Sequence, residues 1–129
     1  MTAIHYLKLA DRGLITVGGP DRKSFLQGLI SNDIEKVGPD QAIWAALLTP
    51  QGKYLHDFFI IEIDEVFYLD CEAARLMDLG QRLSRFKLRA AVDLGIAENF
   101  SVWAAFGTGV IARFGVHPVP CAVVSLGGG

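Results

Sequence analysis

Cysteine and histidine are scarce in this sequence, and their spacing gives no metal-binding pattern. The two cysteines, Cys71 and Cys121, form no C-x-x-C pair, and His5, His56 and His117 are scattered along 129 residues. Structural zinc sites and iron–sulfur clusters are bound by closely spaced cysteine and histidine ligands. We therefore expect no metal site within this chain.

A secretory signal is also missing from the start of the sequence. The first ten residues, MTAIHYLKLA, lack the basic region and the long apolar run that such a signal requires. Proteins of the reducing cytoplasm keep their thiols free. We expect both cysteines to be reduced and the protein to be cytoplasmic.

Long apolar runs and blocks of like charge are absent as well. No stretch approaches the roughly 20 apolar residues of a membrane helix. The 12 basic and 14 acidic residues give a formal net charge of -2, which excludes the strong basic footprint of a nucleic-acid coat protein. The densest basic group is typical of a solvated helix end, with binding of an anionic ligand as the alternative; its members are Arg82, Arg85, Lys87 and Arg89.

What the sequence does contain is enough apolar residues for one hydrophobic core. Hydrophobic residues make up 51% of the chain and charged residues 20%, a balance typical of a folded protein and not of a disordered one. A chain of this length forms one compact domain. Residues 1–129 are therefore predicted to be a single domain.

Hydrophobic periodicity predicts more strands than helices. The segment Asp11-Arg12-Gly13 favours a hairpin between the first two strands, and Pro20 with Asp21 favours a helix start. The predicted strands are residues 4–9, 14–17, 43–48, 54–63, 66–70, 90–94 and 101–106, and the predicted helices are residues 20–30 and 72–86. This order predicts a ferredoxin-like α+β fold, in which helices pack on one face of an antiparallel sheet.

Asp57 is the strongest candidate for a functional residue on physical grounds. By period-two alternation it shares a strand face with Leu55, Phe59, Ile61 and Ile63. A carboxylate among apolar residues is costly unless it is paired, hydrogen-bonded or neutralised. Asp57 is therefore either satisfied by loop N–H groups or an arginine, or it binds a heterocycle that carries N–H and amino groups, as a pterin does.

Three other features have a structural explanation beside the functional one. His56 could act as a base, but it lies on the opposite strand face from Asp57. Asn32 and Asp33 follow a helix end, where Asn caps and Asp forms turns. Gly18-Gly19 precedes a helix without completing a nucleotide-binding motif, so nucleotides are not expected.

Four sequence motifs resemble a known family. DRGLITVGGPD at residues 11–21 and FLQGLISND at residues 25–33 are similar to the opening of the aminomethyltransferase-related folate-binding proteins. AALLTPQGKYLHDF at residues 45–58 resembles the strand-turn-strand of that family, and FKLRAAV at residues 86–92 resembles its segment after the second helix. The resemblance spans most of residues 11–93 and implies the N-terminal domain of that folate-binding fold.

Two departures decide which branch of the family the sequence resembles. The glycine-cleavage aminomethyltransferases carry two adjacent acids where this chain reads His56-Asp57, which favours the branch of folate-dependent iron–sulfur cluster assembly and repair proteins. That branch carries a K-G-C-Y-x-G-Q-E signature, which is absent here. Because neither cysteine has that setting and family members are about twice as long, we expect a truncated chain.

The resemblance implies tetrahydrofolate as the ligand, with polar contacts from Asp57, Asn32, Lys53 and Arg89. The leading hypothesis is a folate-binding accessory protein that works with iron–sulfur proteins or their assembly machinery and is not a complete catalyst. The alternatives are a tetrahydrofolate-dependent aminomethyltransferase of the glycine cleavage system and a structural or protein-interaction fragment. A fragment would expose apolar surface, so self-association is also expected.

Overall fold

A computed structural model describes residues 5–98 and 100–106 of the chain. Within them, a five-stranded antiparallel sheet has the strand order β3-β4-β5-β2-β6, and β1 and β7 form a separate two-stranded sheet. The strands are β1 (His5–Lys8), β2 (Arg12–Gly18), β3 (Ile43–Leu48), β4 (Tyr54–Ile63), β5 (Val66–Glu72), β6 (Asp93–Ile96) and β7 (Trp103–Phe106), and the helices are α1 (Arg22–Gln27) and α2 (Leu76–Lys87).

The central meander of β3, β4 and β5 forms as the sequence predicts. Asp64 and Glu65 connect β4 to β5 with φ angles of 50° and 64°, the left-handed pair that a tight two-residue hairpin turn requires. Phe59 then pairs with Asp70, and Ile63 pairs with Val66. This register places alternate residues of the three strands on opposite faces of one sheet.

Both helices cover the same face of the five-stranded sheet. Phe25 and Leu26 of α1 and Leu79 and Leu83 of α2 are buried in one apolar cluster with inward-facing strand residues. The strand residues of this cluster include Ile15, Val17, Ile43, Ala45, Leu47, Phe58, Ile60, Phe67, Leu69 and Cys71. The predicted α+β fold with helices on one face of an antiparallel sheet is confirmed.

The predicted hairpin between the first two strands is wrong. Arg12 N–H donates to the Leu9 carbonyl at 3.2 Å, so the chain does turn there. The two strands then enter different sheets, because β1 pairs with β7 while both sides of β2 are occupied by β5 and β6. Turn chemistry is local, whereas the choice of partner strand depends on residues about 50 to 100 positions away.

Two predicted boundaries also shift. α1 ends at Gln27, three residues early, because Ile30 bridges to Leu47 and Ser31 N–H donates to the Ala46 carbonyl at 2.9 Å along the free side of β3. The strand predicted at 90–94 is β6, Asp93–Ile96. Its predicted first residues are used in a loop, where Ala91 exchanges hydrogen bonds with Asp21.

No helix in the described part of the chain is long and apolar enough to cross a membrane. Cys121 and His117, whose spacing predicts no metal site, lie outside the described residues.

Candidate functional site

Among the described residues, no helix lies on the sheet face opposite α1 and α2, and this open face carries acids and aromatic rings. Register places Trp44, Phe59 and Asp70 in one row across β3, β4 and β5. Trp44 is 47% exposed and Phe59 is 42% exposed. Exposed rings beside carboxylates form a surface that can bind a flat polar heterocycle.

Asp57 lies on this open face, next to the row of Trp44 and Phe59. It pairs with Ala46 on β3 and is partly buried. Phe59 and Ile63 share the strand face of Asp57 as alternation predicts, whereas Leu55, predicted on the same face, packs against the core cluster. The face of Asp57 is not the core, however, since Ile63 at its far end is 43% exposed. The desolvation that the sequence implied for this carboxylate is therefore only partial.

Tyr54 is a partner of Asp57 that alternation alone assigns to the wrong face. The ladder shifts between Leu47, which pairs with His56, and Leu48, which pairs with Tyr54. This bulge inserts Leu55 and turns Tyr54 to the Asp57 side. Partial loss of hydration, together with the hydrogen bond to Asp57 and its negative charge, raises the pKa of Tyr54.

A second carboxylate on the open face is neutralised by an arginine. Arg12 Nε lies 2.9 Å from Asp70 Oδ1, and the same guanidinium donates to the Asp70 carbonyl at 2.9 Å. The side chains are only 23% and 14% exposed. Farther along this face the rings of Tyr68 and Phe100 meet edge to face at 5.4 Å. Asp70 is therefore paired with an arginine, whereas Asp57 has the tyrosine Tyr54 as a hydrogen-bond partner.

The helix-covered face contains the most buried polar residue, His56. Only 1% of His56 is exposed, and its Nε2 lies 2.6 Å from Asp78 Oδ2 on α2. Asp78 also accepts a hydrogen bond from Arg82 at 2.9 Å, as its i,i+4 spacing predicts. His56 therefore faces away from Asp57, and this histidine links the sheet to α2.

Asn32 is placed near the site but has a structural role. Its Nδ2 donates to the Trp44 carbonyl at 2.9 Å, and its Oδ1 accepts from Asp33 N–H at 2.7 Å. These bonds hold the segment after α1 against the free side of β3. Because β3 separates Asn32 from the strand of Asp57, their backbones are about 10 Å apart.

The two predicted basic contacts lie at opposite ends of the sheet. Lys53 closes the turn before β4, where its carbonyl accepts from Thr49 N–H at 2.8 Å, and it is four positions from Asp57. Arg89 follows α2 at the end of the sheet where Gly19 and Ala91 meet. The length of β2 separates these ends by about 20 Å, so the structure does not bring Arg89 together with Asp57.

Arg75 is a basic residue near the site that the sequence analysis missed. Its guanidinium donates to the Leu55 carbonyl at 2.6 Å. Lost hydration and Asp57 raise the pKa of Tyr54, and the positive charge of Arg75 offsets part of this rise. The only sequence signal is its position at the start of the second helix. Among the described residues, no group of three or more His, Cys, Asp or Glu side chains could hold a metal ion.

Comparison with known proteins finds relatives in sequence. The chain is 33% identical over 98 residues to an iron–sulfur cluster assembly factor IBA57 homolog, mitochondrial, of Neurospora crassa, covering 70% of this chain and 22% of that protein. It is 32% identical over 111 residues to the mitochondrial IBA57 of Mus musculus, covering 75% of this chain and 31% of that protein. The chain thus spans less than a third of these relatives. No protein-family model matches it.

The fold is shared with a solved structure. The glycine cleavage system aminomethyltransferase T of Bartonella henselae superimposes with a TM-score of 0.74 over 87% of this chain and 32% of that chain, at 21% identity. At that identity the match shows the fold. The resemblance predicted from the motifs, to part of the aminomethyltransferase fold and to iron–sulfur cluster assembly proteins, is confirmed.

The relatives overturn the expected cytoplasmic location, because they are named mitochondrial. The expectation rested on the missing secretory signal in the first ten residues. That observation addresses secretion only and carries no information about import into another organelle.

Proposed function

Because this chain is a sequence relative of the IBA57 iron–sulfur cluster assembly factors, we propose that it is the N-terminal part of a tetrahydrofolate-binding accessory protein in iron–sulfur cluster assembly or repair. The folate assignment rests on Asp57, which is partly buried and hydrogen-bonded to Tyr54 on an open face with exposed aromatic rings. The chain spans less than a third of these relatives, and the proposal places the residues that contact the pterin within this part.

Asp57 suits the pterin end of tetrahydrofolate. A carboxylate accepts two hydrogen bonds side by side, and a pterin offers an amino group and a ring N–H in that arrangement. Tyr54 holds the carboxylate in place from one side. Trp44 and Phe59, which pair across β3 and β4, supply ring surface against which a flat heterocycle packs.

The anionic glutamate tail of folate calls for basic groups near Asp57. Lys53 is at the correct end of the sheet, and Arg75 lies close to Tyr54. Asn32 contributes indirectly, because its hydrogen bond to the Trp44 carbonyl fixes the segment after α1 to the edge of β3. Arg89 stays a prediction from sequence, and its position puts it beyond a ligand centred on Asp57.

Aminomethyl transfer is the second candidate, favoured by the shared fold of aminomethyltransferase T. The sequence argument against it was the missing acid at position 56. In this structure position 56 faces the core, so an acid there would not meet a ligand on the Asp57 face. The missing acid is thus weaker support for the assembly branch than the sequence relatives are. A third candidate, a fragment that retains only the fold, predicts no ligand binding at all.

We infer that the partners are components of the iron–sulfur assembly machinery and that the compartment is the mitochondrion. Both inferences come from the names of the relatives, whose matching regions cover most of this chain. The described part of the chain offers no cysteine-rich cluster of its own. A role that positions folate for a partner that holds the cluster agrees with this composition.

Calorimetric titration of tetrahydrofolate tests the proposal. Asp57→Asn keeps the shape of the side chain but removes its charge and one acceptor. Loss of a charge-assisted hydrogen bond costs about 1.5–3 kcal/mol, so we expect affinity to fall by about ten- to a hundredfold. Asp64→Asn is the matched control, because Asp64 is an exposed acid in the turn at the far end of β4, where Asn tolerates the positive φ.

Circular dichroism of each variant confirms that folding is intact. Equal binding by the parent chain and Asp57→Asn would contradict the assignment of the site. No binding by the folded parent would exclude a folate site formed by this domain alone and favour the fragment hypothesis.

A further inference from the structure

A groove on the helix-covered face of the sheet lies far from Asp57. It has a volume of about 720 Å³ and runs between α2 and β6. Its apolar lining includes residues that are largely solvent-exposed, with Met77 63% and Ile96 47% exposed. The apolar side chains lining it are Ile15, Leu76, Met77, Leu83, Leu94 and Ile96.

The strand beside this groove is the free edge of the sheet. β6 pairs with β2 on one side, and among the described residues no strand lies on its other side. Ala97 N–H donates to the Leu14 carbonyl at 3.0 Å. Because antiparallel hydrogen bonds alternate, the N–H and C=O groups of Leu94 and Ile96 point away from β2. The side chains of Leu94 and Ile96 line the groove. Unpaired backbone groups and apolar side chains therefore lie next to each other along this strand.

We propose that this edge binds a second copy of the chain, with β6 pairing antiparallel to β6 of the partner subunit about a two-fold axis at Gly95. In that register Leu94 pairs with Ile96 of the partner subunit, and Ile96 pairs with Leu94 of the partner subunit. The outward backbone groups of each strand then satisfy those of the other. The apolar side chains of the two strands meet beneath the two α2 helices.

Gly95 lies on the two-fold axis of this pairing. Its position faces the side of the sheet away from the helices, where an added Cβ would lie 3.0 Å from Thr16 Oγ1. With no side chain there, two Gly95 residues can meet at the axis. Proline is absent from β6 and its charged residue, Asp93, stands at its first position, so the Leu94-Gly95-Ile96 segment lacks the proline and charge that protect many free edge strands.

Charge at the ends of the groove agrees with a two-fold partner. Leu76, the first residue of α2, lies beside Gly13 at the start of β2. The start of β2 pairs with the end of β6, so α2 runs antiparallel to β6. Arg85 and Glu98 therefore lie at opposite ends of the groove. Two-fold rotation brings Glu98 of the partner subunit to the Arg85 end, so each groove places opposite charges together.

Sedimentation of the full 129-residue chain over a concentration series tests this proposal. We expect reversible dimers, and Ile96→Lys should weaken dimerisation by about tenfold or more because it places a charge on the edge strand. Ile63→Lys is the matched control. Ile63 is an isoleucine of similar exposure, 43% against 47%, near the end of a strand on the opposite sheet face, and its substitution should leave the dimer unchanged.

Reversal of the rim charges tests the geometry. Arg85→Glu should weaken the dimer, and adding Glu98→Arg in the same chain should restore it, because each groove then contains the opposite pair again. Hydrogen exchange provides a second readout. The amides of Leu94 and Ile96 should become protected as the concentration rises, while the Gly95 amide, which faces β2, should be protected throughout.

Three results would overturn the proposal. The first is a chain that stays monomeric at every concentration up to its solubility limit. The second is a dimer that Ile63→Lys disrupts and Ile96→Lys does not. The third is protection of the Leu94 and Ile96 amides that is independent of concentration, which would mean that another part of the same chain covers the edge.

Discussion

A histidine fully enclosed by the core links the sheet to a carboxylate at the protein surface. His56 is 1% exposed, while the Asp78 side chain that it contacts is 52% exposed. Asp78 also accepts a hydrogen bond from Arg82. The hydrogen bond from Arg82, followed by that from His56, lowers the pKa of Asp78. A buried polar group of this kind needs its partner, because an unsatisfied donor inside the core is costly.

This lowered pKa predicts a direction for acid sensitivity. The ionised Asp78 contributes stability that is complete above the ordinary aspartate pKa of about 3.9 and is lost as the pH falls through the lower pKa of the folded state. Asp78→Asn removes this contribution, so the variant should be less stable than the parent near neutral pH. The two should converge in acid.

Urea unfolding midpoints across an acid-to-neutral pH series measure this difference. Asp64→Asn, which changes an exposed acid in the turn between β4 and β5, is the control and should follow the parent at every pH. A gap between parent and Asp78→Asn that widens toward acid would contradict the assignment.

At the scale of elements, the connection from β2 to α1 is fixed against the loop that precedes β6. Asp21 N–H donates to the Ala91 carbonyl at 3.1 Å, and Ala91 N–H donates to Asp21 Oδ2 at 2.8 Å. Gly19 lies in the same contact with a φ of 97°, and a Cβ there would lie 2.4 Å from the Ala91 carbonyl oxygen. This junction needs glycine for both its conformation and its space.

Gly19→Ala should therefore destabilise the fold by more than the cost of the backbone conformation alone, which is about 1–2 kcal/mol. Gly52→Ala is the matched comparison. Gly52 has a similar φ of 84°, and a Cβ there would meet nothing within 4 Å. The free energy of unfolding, from urea denaturation of both variants, should fall more for Gly19→Ala. Equal losses would mean that the loop yields to the added methyl group.

Over the whole molecule, Cys71 reports whether the core is closed. It is 2% exposed in the apolar cluster between the sheet and the helices. Burial raises its pKa to about 11, so almost none of this thiol is ionised at neutral pH. The thiolate is the reactive form. In a Cys121→Ser chain, a thiol reagent should therefore modify Cys71 at least about tenfold more slowly in the native state than in urea.

Ala74→Cys, made in a chain without either native cysteine, provides the exposed comparison, since Ala74 is exposed in the turn before α2. It should react quickly with or without urea. Rapid modification of Cys71 in the native chain would mean that the core opens on the time scale of the reaction.

The sequence by itself determined the features that depend on near neighbours. Alternation predicted the faces of β4 from His56 onward, and the turn residues between β4 and β5 predicted an antiparallel meander. The motifs around Asp57 predicted a family resemblance that the relatives confirm. Each of these follows from contacts between residues close in the chain, or from a motif preserved as a string.

Only the tertiary structure decided which groups meet across distance. The bulge at Leu55 turned Tyr54 toward Asp57, and the pairing of β1 with β7 replaced the predicted hairpin. The core encloses the polar side chain of His56, whereas the strand face of Asp57 carries exposed residues. Sheet partners and the direction of the covered face depend on packing against α1 and α2, which period-two alternation cannot supply because it treats both faces of a strand alike.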